Sequence, residues 1–316
     1  MGNKIKQIVV SVFALPYEID QLGYMLKQLH KNYVWVDKDI DWVIDVSFSL
    51  SDTLIDWEKS EIPQEYFVEK LEVLKNTFEF GKKSIRATTE INGAFDQRRF
   101  ITKEYPNADY YVWLDPDVVF SDHSLFTVQE SMKTIKGKYP LSIITPELVK
   151  YFDYTWDHLV NENFINEEYH YQSKNDAFKD SGIKGEVKLT TVHCNDIGHP
   201  RYKFGGGLFS IISRELLELI PLPEEGLKPY GYEDTFLMWA MEIHKRYKGA
   251  DIHQFKIKNM VVCENFTHQD NSYYTNRLVR YSIKEKYLEH NGRTLDQILL
   301  ALHPGLTAEG LKSITF

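Results

Sequence analysis

Residues 109–117 read DYYVWLDPD. Tyr110 to Leu114 form a short, continuous apolar run rich in aromatic residues, which predicts a buried strand. Pro116 has no N–H to give to a ladder, so pairing stops there and leaves Asp115 and Asp117 at the strand's carboxyl end. Side chains two apart on an extended backbone point the same way, so the two carboxylates face one space. In open α/β sheets this edge is where ligands bind. Two hard oxygen donors there suit Mg²⁺ or Mn²⁺ shared with substrate phosphates. Asp and Pro also make ordinary strand-ending turns, and the pair alone does not choose between the two readings.

Upstream of this strand, apolar periods of two kinds alternate. A β-branched run from Ile8 to Leu15, closed by Pro16, predicts the first strand. Ile19, Leu22, Met25, Leu26 and Leu29 then recur at helical spacing. DWVIDVS at 41–47 reads as the second strand, Gln64 to Phe78 as an amphipathic helix, and Ala94 to Glu104 as a third helix ended by Pro106 and Asn107. Strand and helix in alternation predict an α/β fold, with a mostly parallel sheet and helices on both faces. The second half is less regular. Strands are expected at Leu141–Ile144, Tyr202–Ile212 and Phe255–Cys263, and helices from Ser213 to Pro221, over Glu233–Tyr247 and over Tyr273–His290. Residues 150–200 are polar and aromatic, with Tyr151, Phe152, Tyr154, Trp156, Tyr169 and Tyr171. This cluster reads either as a stacking platform or as a satellite core under a long loop.

Composition narrows the class. The 316 residues carry 37 Lys+Arg against 46 Asp+Glu, a net charge of −9 that gives no bulk attraction to nucleic acid. No run approaches the ~18 apolar residues of a membrane span, so no stable membrane insertion is expected. The opening MGNKIKQIVVSVFALPYEID passes straight into a strand-like run without a small-residue cleavage site, and Lys6 stands where myristoylation of Gly2 wants Ser or Thr. Cys194 and Cys263 are too few for a disulfide framework or a four-ligand zinc site. The expected address is the reducing cytoplasm.

Three further features carry chemistry. PYGYEDT at 229–235 opens the strongest helix, with Glu233 and Asp234 at its positive end. Either acid can simply cap the helix, or a carboxylate held ionised there can take a proton from an attacking hydroxyl. Gly205, Gly206 and Gly207 interrupt a strand-like run, which marks a bulge or the close approach of a ligand to the backbone. His268 follows the last strand and, beside a carboxylate-bound metal, makes a third ligand; alone it is an ordinary histidine.

Asp-x-Asp after a parallel strand, then a glycine run, then Glu-Asp opening a helix, then a histidine: this order resembles glycosyltransferases of the GT-A fold, in particular the large inverting family that uses nucleotide-diphosphate sugars. The resemblance spans roughly residues 5 to 290 and implies one GT-A, Rossmann-like domain over 1–290. Its nucleotide-binding half is 1–120 and its acceptor and catalytic half 121–290; a tail at 291–316 holds a short helix at Leu295–Leu302. It implies that Asp117, with Asp115 and His268, holds Mn²⁺ or Mg²⁺ on the donor diphosphate, and that Asp115 reaches the ribose or the metal's outer shell. Glu233 would bind the acceptor and Asp234 would act as base. Gly206 and Gly207 would lie against the donor sugar, and Phe13 to Tyr17 together with 45–52 would meet the base and ribose. Arg98 and Arg99 are candidates for the diphosphate, or are solvated helix residues. The implied donor is a nucleotide-diphosphate sugar, with a UDP-sugar favoured. The acceptor is a glycan, a protein or a modified nucleic-acid base. Independently of the resemblance, the tail reads as packing on the domain, pairing with another subunit as a homodimer, or touching a membrane surface. The second strand departs from the family's compact Asp-Asp-Gly-Ser by continuing VIDVSFSLSDT.

Two rivals stand beside this reading. A metal-dependent nucleotidyltransferase or phosphohydrolase also uses paired aspartates, but it needs further carboxylates, for which Asp122 is the nearby candidate. A non-catalytic sugar- or nucleotide-binding relative would keep the fold without turnover.

Overall fold

In the computed structural model, which describes residues 4–120, 122–148, 189–191, 208–223, 233–264 and 307, strand β1 (Gln7–Ala14) is buried on both faces. Ile8, Val10 and Val12 point into one apolar layer and Val9 into another. A strand covered on both sides belongs in the middle of a parallel sheet. It pairs in parallel with β2 (Asp41–Ser49) on one side and with β4 (Tyr110–Leu114) on the other, and β2 pairs in parallel with β3 (Lys82–Thr88). The expected parallel half is therefore present.

Beyond β4 the sheet is mixed. It adds β8 (Phe209–Ser213) antiparallel to β4, then β6 (Ser142–Leu148), then β9 (His253–Glu264) parallel to β6. The short strands β5 (Val118–Phe120) and β7 (Leu189–Thr191) both run antiparallel to β9. The order β3-β2-β1-β4-β8-β6-β9-β5, with β7 also on β9, makes one sheet of nine strands among the described residues. Pro146 lies within β6, and the β6–β9 register shifts just after it, as a residue without an N–H requires.

Helices cover both faces. Against the Val10 face pack α1 (Ile19–Tyr33), α2 (Gln64–Thr77) and α4 (Ser124–Ile135), through Leu22 and Leu26, Phe67 and Leu71, and Val128 and Met132. Against the Val9 face pack α3 (Ala94–Glu104), α5 (Arg214–Leu219) and α6 (Glu233–Lys248), through Phe95 and Ile101, Leu216, and Phe236 and Met241. The strands β3, β5 and β7 and the helix α4 are additions to the sequence reading. Of the expected strand at Tyr202–Ile212, the part from Phe209 onward is strand β8; residues 201–207, including Gly206 and Gly207, lie outside the described residues, as do His268, the aromatic segment 151–188, both C-terminal helices and the boundary at 290. Among the described residues no helix is long and apolar enough to cross a membrane.

Candidate active site

Five elements converge at the carboxyl end of β4. The strand stops at Leu114, and the turn through Asp115-Pro116-Asp117 leads into β5, with the Val118 N–H reaching the Asp115 carbonyl at 3.4 Å. The Asp115 N–H donates to the Leu208 carbonyl at 3.0 Å, so the residue that follows Gly205–Gly207 is stitched to the first aspartate. Val118 sits opposite Glu264, the last residue of β9, so the end of that strand lies beside the turn. Helix α6 begins at Glu233, with Asp234 as its second residue and partly buried. Helix α3 supplies Arg98 from beneath.

Arg98 is the interior counter-ion of this site. Its side chain is only 3% exposed, and its Nη2 donates to Asp115 Oδ1 at 3.0 Å. The guanidinium lies 4.8 Å from the centre of the Trp113 ring, so a planar cation stacked on indole is held where a flexible ammonium would not be. Asp115 is 33% exposed and opens to the outside. The acids are nonetheless crowded. Burial, with Asp234 acting in the same direction and Arg98 opposing, pushes the Asp115 carboxyl up to about 6. Burial first, and then the charge of Asp115, pushes Asp117 up to about 7. Burial pulls Arg98 below its ordinary value, while Asp115 and Asp234 pull the other way. Asp234, far from the turn in sequence, therefore acts on Asp115 and Arg98, and Asp115 acts on Asp117.

The other predicted residues are placed as follows. Phe13 and Tyr17 are both buried, in β1 and in the 3₁₀ turn Pro16–Glu18 behind it, as part of the apolar layer under the same sheet edge. Arg98 is buried and faces Asp115 from inside, so it is not a solvated helix residue. Arg99 donates to the Pro223 carbonyl at 3.2 Å and to Asp96 at 3.0 Å. Within 45–52, Asp45 is committed to the interior, while Ser51 and Thr53 bond each other at 2.7 Å and Thr53 reaches Asn92 at 3.1 Å. Asp122, the rival's extra carboxylate, is exposed beyond β5.

Sequence reasoning missed the polar knot on the same face of the sheet. Asp45 and Gln97 are 1% and 0% exposed. Arg86 grips Asp45 with both terminal nitrogens, at 2.9 and 2.8 Å, and Gln97 Nε2 donates to Asp45 Oδ1 at 2.7 Å. Ser47 Oγ donates to Gln97 Oε1 at 2.5 Å and Tyr105 OH to Asp45 Oδ2 at 3.1 Å. The one available signal was an aspartate in the middle of an apolar strand, which demands a buried partner.

Two acidic side chains with one open side fit a divalent cation that keeps most of its ligands from substrate phosphates and water. Among the described residues no group of three or more His, Cys, Asp or Glu side chains is arranged to hold an ion alone. The donors thus suit shared coordination better than a closed protein cage.

No family model and no curated protein sequence matches the chain. Solved structures align with it along most of its length. They include GalNAc-T7 with UDP, GalNAc and Mn²⁺, at 11% identity and a TM-score of 0.44, covering 94% of this chain and 48% of that one. TarS 1–349 of S. aureus in complex with UDP-GlcNAc aligns at 14% identity and 0.47, covering 94% and 71%. A UTP-bound UGPase from Acinetobacter baumannii aligns at 12% identity and 0.43, covering 95% and 99%. The chain spans about half the length of the GalNAc-T7 structure. At these identities the similarity is one of α/β architecture, and the activities of the named proteins stay theirs.

Proposed function

We propose that the chain is a metal-dependent glycosyltransferase that moves a sugar from a nucleotide-diphosphate sugar to an acceptor hydroxyl, with inversion at the anomeric carbon. The observation that carries this reading is the placing, at the carboxyl edge of the sheet, of Asp115 and Asp117 in one turn, with buried Arg98 bonded to Asp115 at 3.0 Å and Asp234 acting on both Asp115 and Arg98. Negative charge left in excess at a ligand-binding edge calls for a cation.

Asp117 and Asp115 would hold Mn²⁺ or Mg²⁺, with His268 as a further ligand. The bound ion supplies neutralisation of the charge that builds on the departing diphosphate. Arg98 pins one oxygen of Asp115 from behind, so the carboxylate presents a fixed edge to the donor side. Asp234, at the positive end of α6, accepts the proton of the acceptor hydroxyl as that oxygen bonds to the anomeric carbon and the bond to the diphosphate breaks. Glu233 would bind the acceptor, and Gly206 and Gly207 would let the donor sugar lie against main chain. Attack from the face opposite the leaving group gives inversion.

The test is a thermal-shift screen of nucleoside diphosphates and their sugar derivatives, UDP first, with and without Mn²⁺. The expected result is a Mn²⁺-dependent rise with one nucleotide that disappears in Asp117→Ala. Nuclear magnetic resonance of the transfer product then reads the anomeric configuration, and a retained configuration sinks the inverting mechanism. Sugar release without any acceptor would favour a hydrolase instead.

A further inference from the structure

Helix α3 holds two sheet strands with two consecutive buried residues. Gln97 reaches back to β2, donating from Nε2 to the Asp45 side chain at 2.7 Å and to the Asp45 carbonyl at 3.2 Å. Arg98 reaches forward to the end of β4, donating to Asp115 at 3.0 Å. The strands between them are in register: Ser11 of β1 stands beside Asp45 on one side and Trp113 on the other. The floor under α3 is therefore one row across three strands, and the Arg98 guanidinium stacks on the Trp113 end of it.

The Asp45 end is built far more heavily than helix packing needs. Arg86 binds both carboxylate oxygens and also donates to Ser84 Oγ at 3.0 Å, Ser47 Oγ at 2.9 Å and Gln97 Oε1 at 3.3 Å. Its guanidinium lies 4.4 Å from the centre of the Phe100 ring, one turn along α3 from Gln97. Gln97 thus has its acceptor and its donor both engaged, so neither α3 nor the amide can rotate without breaking buried bonds, which is costly.

We infer that Gln97 is a positioning residue: the knot it closes with Asp45, Ser47 and Arg86 sets the rotation and depth of α3, and thereby holds Arg98 on Asp115 so that this carboxylate meets the metal in one orientation. The inference rests on the metal reading proposed above. It assigns to a residue with no exposed surface, aimed away from the acids, a role in metal affinity.

The experiment titrates Mn²⁺ calorimetrically into the full chain in saturating UDP, with melting temperature measured in parallel. Gln97→Met keeps the volume and leaves the Arg98 charge in place, so any change in Mn²⁺ affinity reports geometry rather than charge. Gln97→Leu likewise removes the bonds to Asp45 without adding a charge, and it carries the test where the Met variant does not fold. Both should weaken Mn²⁺ on the order of tenfold, the lower end of what loss of an outer-shell partner costs. Tyr105→Phe removes a different bond of the same knot, 3.1 Å from Asp45, and leaves Gln97 engaged. It should lower the melting temperature while Mn²⁺ affinity stays at the wild-type value.

Unchanged affinity in both Gln97 variants overturns the inference alone, with the metal reading intact. Equal weakening in Tyr105→Phe also overturns it, because the effect would then follow stability and not the position of α3. A wild-type chain that binds no Mn²⁺ with UDP overturns the functional reading, and this inference with it.

Discussion

Replacing Asp117 by Asn should make the metal-free protein more stable at alkaline pH and leave it nearly unchanged in acid. The Asp117 carboxyl is pushed from 3.8 up to about 7, by burial and then by Asp115. Between those values the folded chain keeps a proton that the unfolded chain releases. Stability contributed by this group therefore falls as pH rises through that window, and the penalty is complete above about 7. At ~1.36 kcal/mol per pH unit the interval amounts to roughly 4 kcal/mol. Asn removes both the burial cost and the repulsion with Asp115, but burying its own amide costs part of this back, so the substitution recovers about 2 kcal/mol. Urea unfolding in EDTA, followed by tryptophan fluorescence at about pH 4 and about pH 8, measures the difference directly. A variant equal to or less stable than wild type at the higher pH would refute the reasoning from burial and repulsion. Adding Mn²⁺ and UDP should reverse the order. Ligand at a hundredfold excess over its Kd returns ~2.7 kcal/mol to the wild type and nothing to a variant that cannot bind it.

At the other end of β4, Asp109→Asn should cost about 1–3 kcal/mol near neutral pH, because it weakens bonds to the Lys6 N–H at 2.6 Å and Lys136 Nζ at 2.9 Å. Burial raises this carboxyl, but those bonds and the Gln7 N–H outweigh it and hold the group below 3.8. Its stability is therefore present above about pH 4 and lost in stronger acid, where unfolding curves of variant and wild type should converge. Arg98→Met should destabilise by about 3–5 kcal/mol at alkaline pH by stranding Asp115. Without Arg98 that carboxyl holds its proton to higher pH, so the loss should shrink as pH falls toward about 6 and be least below it; a loss independent of pH would point to packing alone. Gly81→Ala should cost about 1–3 kcal/mol with an unchanged urea m-value. A Cβ there meets the Trp42 carbonyl oxygen at 2.3 Å, so backbone must move.

The elements that announced themselves were those whose burial follows one period. The apolar stripe of α1 is buried as its spacing predicts, and the both-sided burial of β1 and β4 matches their unbroken apolar runs. Strand β3 hid because it is the edge of the sheet: KKSIRAT exposes its lysines and buries only Ile85, which suits an edge that must not recruit another strand. Helix α4 hid for the opposite reason. Leu125, Val128, Met132 and Ile135 have helical spacing, but Ser124, Thr127, Gln129 and Ser131 are buried too and blur the stripe. At the site, Asp115 and Asp117 were legible because proline and strand period place them. The pairing of Arg98 with Asp115 was not, since a guanidinium on a helix reads as solvated until the sheet beneath it is known. Gln97 left no trace at all, because its partner lies 52 residues away in β2.

The strongest physical contrast in the molecule lies along β4 itself. Five residues, Tyr110 to Leu114, separate an acid that the fold satisfies from a pair that it does not. Asp109 is met by two backbone N–H groups and a lysine, and its carboxyl is held below the ordinary value. Asp115 has Arg98 but feels Asp234 as well, Asp117 feels Asp115, and burial pushes the two up to about 6 and about 7. Both ends are built by the same strand, so the difference is not a shortage of means. A lysine placed at the carboxyl edge as Lys136 is placed at the amino edge would relieve the repulsion and stabilise the chain. Among the described residues the cation there is instead a buried arginine, which braces Asp115 from behind and leaves the open side negative. Repulsion left standing on the ligand-binding edge, and nowhere else along β4, is what a site that borrows its positive charge from a bound ion requires.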